Sequence, residues 1–249
     1  MKKIVVGGLE GKMGSFLVEA IKAEEDIELV AGVSEVEQLD GEIPIYNDIQ
    51  KVLDEVEFDV YVDFTVYQFA KMASEVMLKA GKAIVIGTTG FNKEDLDYLK
   101  TIAKENGGKG VIAPNFSIGA ILINKFTEIC SHYFDNFEIV EYHHVNKKDQ
   151  PSGTATYIAN TLDCALKRKL TSTHVHSVRM PGVLAKHQVL VSDEYQTLEL
   201  IHQSNSRHSF EKGIILAIRK VSELDELVYG LQHLLDYSLH IEVFFMIKK

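Results

Sequence analysis

The chain opens with "KKIVVGGLEGKMGSFLVEAI", Lys2 to Ile21, and the reading of this stretch decides the fold. "KIVVGG" is a short β-branched run closed by glycines, the pattern of a buried strand. Beyond it, Met13, Phe16, Leu17, Ala20 and Ile21 recur at the i, i+3, i+4, i+7, i+8 spacing of one helix face. Between the two lie Gly8, Gly11 and Gly14, in the form G-x-x-G-x-x-G. Glycines at a first strand–helix junction let backbone N–H groups and a helix N-terminus approach a pyrophosphate. The text of the motif is weak by itself; its position gives it specificity. The competing reading is a plain glycine turn.

Working outward, "IELVAGV" reads as a second strand, "IQKVLDEV" as a helix and "VYVDFT" as a third strand. "QFAKMASEVMLKAG" is a helix closed by Gly81, "KAIVIG" a strand, "NKEDLDYLKTIAKENG" a helix that Asn92 caps, and "GVIAP" a further strand. This alternation predicts an open α/β domain of Rossmann type. Its ligand crevice would be completed at the carboxyl ends of the strands, by Asp63–Thr65, Gly87–Phe91 and Ala113–Ser117. After the second strand, where an acid is expected on the adenosine ribose, stand Ser34 and Glu35. No Lys or Arg adjoins Glu35, and Glu37 adds negative charge, so the site favours NADH and leaves NADPH as the second choice. Against this, Glu35 could be an ordinary solvated acid.

After about Asn115 the pattern changes. An apolar helix is expected over residues 118–134, and "HQVLVSDEYQTLELIHQS" reads as two strands around a polar turn, with Leu198, Leu200 and His202 at period two. "GIILAI" reads as another strand and "VSELDELVYGLQHLLDYSL" as a helix returning to the first domain. The organisation predicted is a dinucleotide-binding domain, residues 1–114 plus 217–249, with an α+β domain, residues 115–216, inserted into it.

Composition narrows the function. The 249 residues carry a formal net charge of −10, which argues against nucleic acid and anionic membranes as partners. No apolar run reaches the ~20 residues needed to span a bilayer, and the first residues lack the apolar stretch of a secretory signal. Cys130 and Cys164 stand 34 residues apart and suggest neither a disulfide framework nor a zinc site. A reducing cytoplasm and no metal are expected.

In so acidic a chain, "VEYHHVNKKDQPSGTA", Val140 to Ala155, gathers cationic and titratable groups. "FEIVEYHH" reads as a strand, so His143 and His144 point to opposite faces. After Pro151, Ile158, Leu162 and Ala165 keep helical spacing, which puts Ser152, Gly153 and Thr154 at a helix start. Free N–H groups there receive a carboxylate or phosphate. Lys147 adds a charge or, with a lowered pKa, a proton; Lys148 is a solvated surface charge. Isolated histidines are more often structural than catalytic, but two of them beside a lysine and an anion site point to chemistry. The cluster binds an anionic substrate and delivers protons to it, which beside a nicotinamide describes a reductase.

These residues resemble the 4-hydroxy-tetrahydrodipicolinate reductases of bacterial and plant lysine and diaminopimelate biosynthesis. The resemblance runs through "GKMG", "DFT", "GTTGF", "APNFSIGA", "E-x-HH…K-x-D-x-PSGTA" and "SVR…H" with "NSRHSF". It implies that His143 is the proton donor and acceptor and Lys147 the proton donor. It implies that His144, Ser152, Gly153 and Thr154 hold the carboxylates of a small dicarboxylate substrate. Gly8, Leu9, Glu10, Gly11, Lys12 and Met13, with Gly87, Thr88, Thr89, Ala113, Pro114, Asn115 and Phe116, would contact the dinucleotide. A homotetramer assembled through the second domain is implied as well. The chain departs from the family at Val66, Val145 and Asn146, where basic residues are common, and at Pro181, where glycine is. Two rival readings remain: a same-fold reductase of another anionic imine, similar to aspartate dehydrogenase, and a catalytically silent dinucleotide sensor.

Overall fold

The computed structural model describes residues 1–166 and 174–237. The opening strand is β1 (Lys2–Gly7), followed by α1 (Lys12–Lys22), β2 (Ile27–Val33), β3 (Ile45–Tyr46), α2 (Ile49–Glu55), β4 (Val60–Asp63), α3 (Tyr67–Lys79), β5 (Ala83–Ile86), α4 (Lys93–Asn106) and β6 (Lys109–Ile112). Asn92 caps α4 as expected, within a capping box shared with Asp95. Next come α5 (Ile118–Cys130), β7 (Asn136–His143), α6 (Gly153–Leu166), β8 (Val175–Arg179), β9 (Ala185–Ser192) and β10 (Thr197–Ser204). The described chain closes with α7 (Glu211–Lys220) and β11 (Leu227–Tyr229).

The large sheet runs β11-β6-β5-β4-β1-β2-β3, and all its pairs are parallel. Its strands are buried on both faces, which is why they read as continuous apolar runs. Ile4 and Val6 of β1 belong to one apolar cluster and Val5 to the other. The chain leaves β1 toward β2 on one side and later fills β4 and β5 on the other, so a crevice forms between the carboxyl ends of β1 and β4. The small sheet, β10-β9-β7-β8, covers a third cluster built on Ile139, Ile158, Leu162, Val189 and Val191.

Two sequence expectations are overturned near the end of the chain. "GIILAI" is helical, forming α7, and Ile214, Ile215, Ile218 and Val221 pack with Leu17 and Ile21 of α1 in one cluster. A short apolar run does not distinguish a buried strand from a buried helix segment; the space beside α1 decides here. Gly213 belongs to this packing, since a Cβ there would lie 1.9 Å from the Phe116 carbonyl oxygen. The expected return to the first unit near residue 217 falls inside α7. "VSELDELVYGLQHLLDYSL", expected as one helix, is instead a 3-10 turn (Val221–Glu223), β11 and a second 3-10 turn (Leu231–Leu234); its last two residues lie outside the described part. Leu227 and Val228 pair with Gly110 and Val111 of β6, and Gly230 takes φ +102°, a conformation no helix interior contains. Completing the sheet edge outweighs local helical spacing. The helix expected over 118–134 ends at Cys130. Among the described residues, no helix is long and apolar enough to cross a membrane.

Candidate functional site

The glycine loop sits at the crevice. Gly8 has φ +78°, and its N–H donates to the Val33 carbonyl at 2.8 Å. Gly14 permits close approach: a Cβ there would stand 2.1 Å from the Gly8 carbonyl oxygen. No side chain caps α1, so its first N–H groups are free for an anion. The Leu9 side chain is buried in the core and leaves only its backbone to the loop. Ser34 donates its hydroxyl to Glu10 at 2.5 Å, tying the loop to the end of β2. Glu35 is exposed, and Glu37 pairs with Lys51 at 3.1 Å. Glu10 is thus tied to Ser34 and Glu37 to Lys51, which leaves Glu35 as the exposed carboxylate just beyond β2.

Asp63 draws the remaining loops together. It is fully buried. Its Oδ1 accepts from the Thr65 N–H at 2.9 Å, the Thr65 hydroxyl at 2.8 Å and the Thr88 hydroxyl at 2.8 Å, and its Oδ2 from the Tyr61 hydroxyl at 2.7 Å. Gly87 packs under the Phe64 ring, whose centroid lies 5.7 Å from that of Phe116. Thr88, Ala113 and Phe116 are buried, so of these loops Thr89, Pro114 and Asn115 reach the open cavity.

That cavity, of about 840 Å³, is lined on its other side by His143, Lys147, Ser152, Gly153 and Thr154. The structure thus brings two of the three expected cofactor loops against the cationic cluster, and the Asn115 amide donates to the Thr154 hydroxyl at 3.3 Å. His144 is exposed and does not line the cavity; its carbonyl accepts from the Lys147 N–H at 3.1 Å.

β7 places Glu141 and His143 on one face, two residues apart. Glu141 is fully buried and hydrogen-bonds His143 Nδ1. Arg179, at the end of β8, grips Glu141 with both guanidinium nitrogens at 2.8 and 3.0 Å. The same guanidinium donates to the carbonyls of Lys147 at 3.3 Å and Asp149 at 2.7 Å, fixing the turn that carries Lys147. Burial would raise the Glu141 pKa, but the bonds from Arg179, Ser177 and His143 outweigh it and hold the carboxyl below its ordinary value. His143 is pushed below its ordinary value, chiefly by burial, with Lys147 and Arg179 adding to it against the pull of Glu141. A neutral imidazole whose Nδ1–H donates to Glu141 leaves the Nε2 lone pair for the cavity. Lys147 pairs with the exposed Asp149 at 2.9 Å, a partner that an anionic ligand could replace.

Ser152 opens α6: its hydroxyl accepts from the Ala155 N–H at 3.2 Å. Behind it lie two histidines on facing strands, His187 with Nε2 3.2 Å from Ser152 Oγ and His202 with Nε2 3.1 Å from Ser117 Oγ. Sequence reading did not single out Glu141, Arg179 or His187 as site residues. The signal for Glu141 was its i−2 spacing from His143 on a strand. Arg179 stood only within the quoted "SVR…H", and it and His187 come from distant strands whose pairing with the site no local pattern showed. Among the described residues no cluster suits a metal ion. The whole assembly is a place for an anionic ligand, a proton donor and a buried carboxylate–histidine pair beside a dinucleotide crevice.

Comparisons with known proteins agree with this arrangement. Residues 2–116 match the family model described as dihydrodipicolinate reductase, N-terminus, and residues 119–235 its C-terminus. The 4-hydroxy-tetrahydrodipicolinate reductase of Halalkalibacterium halodurans is 38% identical, over 95% of this chain and all of that protein. That of Listeria innocua is 36% identical, over 94% and 100%. A dipicolinate-bound dihydrodipicolinate reductase from Paenisporosarcina sp. TG-14 superposes with a TM-score of 0.86 at 33% identity, covering 94% of this chain and 100% of that one. An aspartate dehydrogenase from Thermotoga maritima shares the fold alone, with a TM-score of 0.54 at 13% identity.

Proposed function

The chain belongs to the dihydrodipicolinate reductase family, and from that premise we propose how its cavity reduces 4-hydroxy-tetrahydrodipicolinate to tetrahydrodipicolinate. The reaction, in lysine and diaminopimelate biosynthesis, uses a reduced nicotinamide dinucleotide and releases the 4-hydroxyl as water. The uncapped α1 and the close turn at Gly8 and Gly14 suit a pyrophosphate. When bound, the dinucleotide supplies the hydride.

The protein's part is to hold the dicarboxylate and manage protons. Ser152, Gly153 and Thr154 receive a carboxylate at the start of α6, where N–H groups and dipole favour negative charge. His144, exposed in its turn and outside the cavity lining, is the expected carboxylate contact that the cavity does not support. As charge develops on the ring, Lys147 stabilises it and gives a proton to the carbon next to the reduced one. His143, held neutral by burial and oriented by Glu141, accepts and returns protons through Nε2. The observation that carries this reading is the meeting of Thr89 and Asn115 with His143, Lys147 and Ser152 around one cavity.

Glu10, Ser34 and Glu35 would receive a ribose 2′-hydroxyl and repel a 2′-phosphate, so NADH is favoured over NADPH. The remaining expectations rest on the family. Four copies would associate through the outward face of the small sheet, where Val140, Leu190 and Ile201 are not fully covered; the enzyme would work in the cytoplasm; and the two units would close on each other about a hinge near residue 115 and ahead of α7, since residue 217 itself lies within that helix.

The test follows reduced-nicotinamide absorbance with substrate generated in place by its synthase, NADH and NADPH side by side. Turnover that Lys147→Ala lowers by about 10²–10⁴-fold, with cofactor binding intact, supports the assignment. Unchanged turnover in that variant overturns it.

A further inference from the structure

We propose that His187 is a positioning residue for the reaction: from β9 it donates its Nε2–H to Ser152 Oγ and thereby turns the Ser152 hydroxyl proton toward a substrate carboxylate. The proposal rests on the assignment of Ser152 to that carboxylate.

A neutral imidazole carries one N–H, and its position can be argued from the surroundings. His187 is buried at 3% exposure, and its Nδ1 has no hydrogen-bond partner among the described residues. A proton on Nδ1 would strand a buried donor, which native structures avoid most strongly; a proton on Nε2 strands only a lone pair. The Nε2–H tautomer is therefore the favoured one, and Nε2 faces Ser152 Oγ at 3.2 Å.

Ser152 Oγ then receives two donors, the His187 ring N–H and the Ala155 backbone N–H. With both its acceptor positions filled by the protein, the hydroxyl keeps a single proton to give. Ser152 lines the cavity beside Gly153, Thr154 and Lys147, so that proton meets whatever anion α6 receives. A serine without the histidine could rotate its hydroxyl and present a lone pair, which would repel a carboxylate. Burial pushes the His187 pKa down to about 4, which keeps the ring in its single-donor form at neutral pH. His202 stacks on it at 6.4 Å, nearly parallel, and is itself held by Ser117, so the ring has a defined orientation.

Four variants test this by the separation of KM from kcat. Ser152→Ala and His187→Leu are each expected to raise the substrate KM about tenfold or more, the worth of a hydrogen bond to a charged group, while kcat and the cofactor KM change less than threefold. His187→Gln, whose amide nitrogen reaches the place of Nε2, should keep a substrate KM near wild type. His187→Asn, whose amide reaches only the place of Nδ1, should behave as His187→Leu. The double variant Ser152→Ala, His187→Leu should be no worse than Ser152→Ala alone, because the two act as one unit. If Ser152→Ala leaves the substrate KM unchanged, the carboxylate assignment itself is wrong. If Ser152→Ala raises it but His187→Gln and His187→Asn are equivalent, the assignment stands and the role of His187 is overturned.

Discussion

Acid should destabilise this protein through one identifiable ring. His187 is buried among His143 and Glu141 of β7, Lys147 in the following turn, and His202 of β10. Burial first, then the neighbouring cationic groups, lowers its pKa from 6.5 to about 4, with Glu141 pulling the other way. The unfolded chain therefore takes up the proton at a higher pH than the folded one. Stability from the neutral ring is present in full above pH 6.5 and is lost as the pH falls from 6.5 toward 4. At roughly 1.4 kcal/mol per pH unit, that interval corresponds to about 3 kcal/mol. The perturbation is His187→Gln, which removes the proton site and keeps a donor for Ser152. Urea unfolding at half-unit steps from pH 8 to 4, at one protein concentration, gives both stability curves. His143 and His202, also lowered by burial, remain in both proteins and cancel to first order. The wild-type curve should fall below that of the variant by about 3 kcal/mol over the interval. Curves that stay parallel down to pH 4 would refute the buried neutral ring.

Three further expectations concern the rest of the site. Glu141→Gln removes the negative charge and leaves one acceptor oxygen where two now serve His143 and Arg179, with an amide NH2 facing one of those two donors, so kcat should fall by about 10²-fold or more and stability by about 3–5 kcal/mol, read by turnover and urea unfolding on the same preparation. Gly14→Ala forces a methyl group against the Gly8 carbonyl oxygen, 2.1 Å away; NADH binding followed by fluorescence should weaken at least tenfold, and retained affinity would contradict the tight-loop argument. Glu35→Arg supplies a charge-assisted donor where an exposed carboxylate now stands, and should raise the NADPH-to-NADH ratio of kcat/KM by about 10- to 100-fold; an unchanged ratio would place the ribose elsewhere.

Local patterns were legible where one element decides its own fate. The alternation of apolar runs and helical spacings from Lys2 to Ile112 specifies five of the seven strands of the large sheet, though not the two-residue β3, because parallel strands buried on both faces leave continuous apolar text. The helix start at Ser152–Thr154 was equally readable from glycine, hydroxyl groups and the spacing that follows. What failed was decided at a distance. "GIILAI" has the composition of a strand and becomes α7 because the vacant groove beside α1 accepts a helix. Leu227–Tyr229 carries helical spacing and becomes β11 because β6 offers an unpaired edge. Within the site, His143 and Lys147 stood out by their company in the chain, whereas the groups that orient them did not. Arg179 reaches Glu141 from 38 positions away and His187 reaches Ser152 from 35; such pairings exist only once the small sheet has formed. His144 shows the converse: His143 and Lys147 on either side of it line the cavity, and it does not.

The position of β11 has a consequence for biosynthesis. It pairs with Gly110–Ile112 of β6, yet the whole small sheet is encoded between them. A nascent chain therefore displays the β6 edge, with Gly110, Val111 and Ile112 all meant for the interior, until Leu227 leaves the ribosome. About 115 residues intervene, which at 5–20 residues per second leaves the edge open for roughly 6–23 s. An apolar strand edge exposed for that long is a template for pairing with other chains. Ribosomes stalled before residue 227 should carry aggregation-prone chains that chaperones retain, and those stalled beyond Leu234 with the exit tunnel cleared should not.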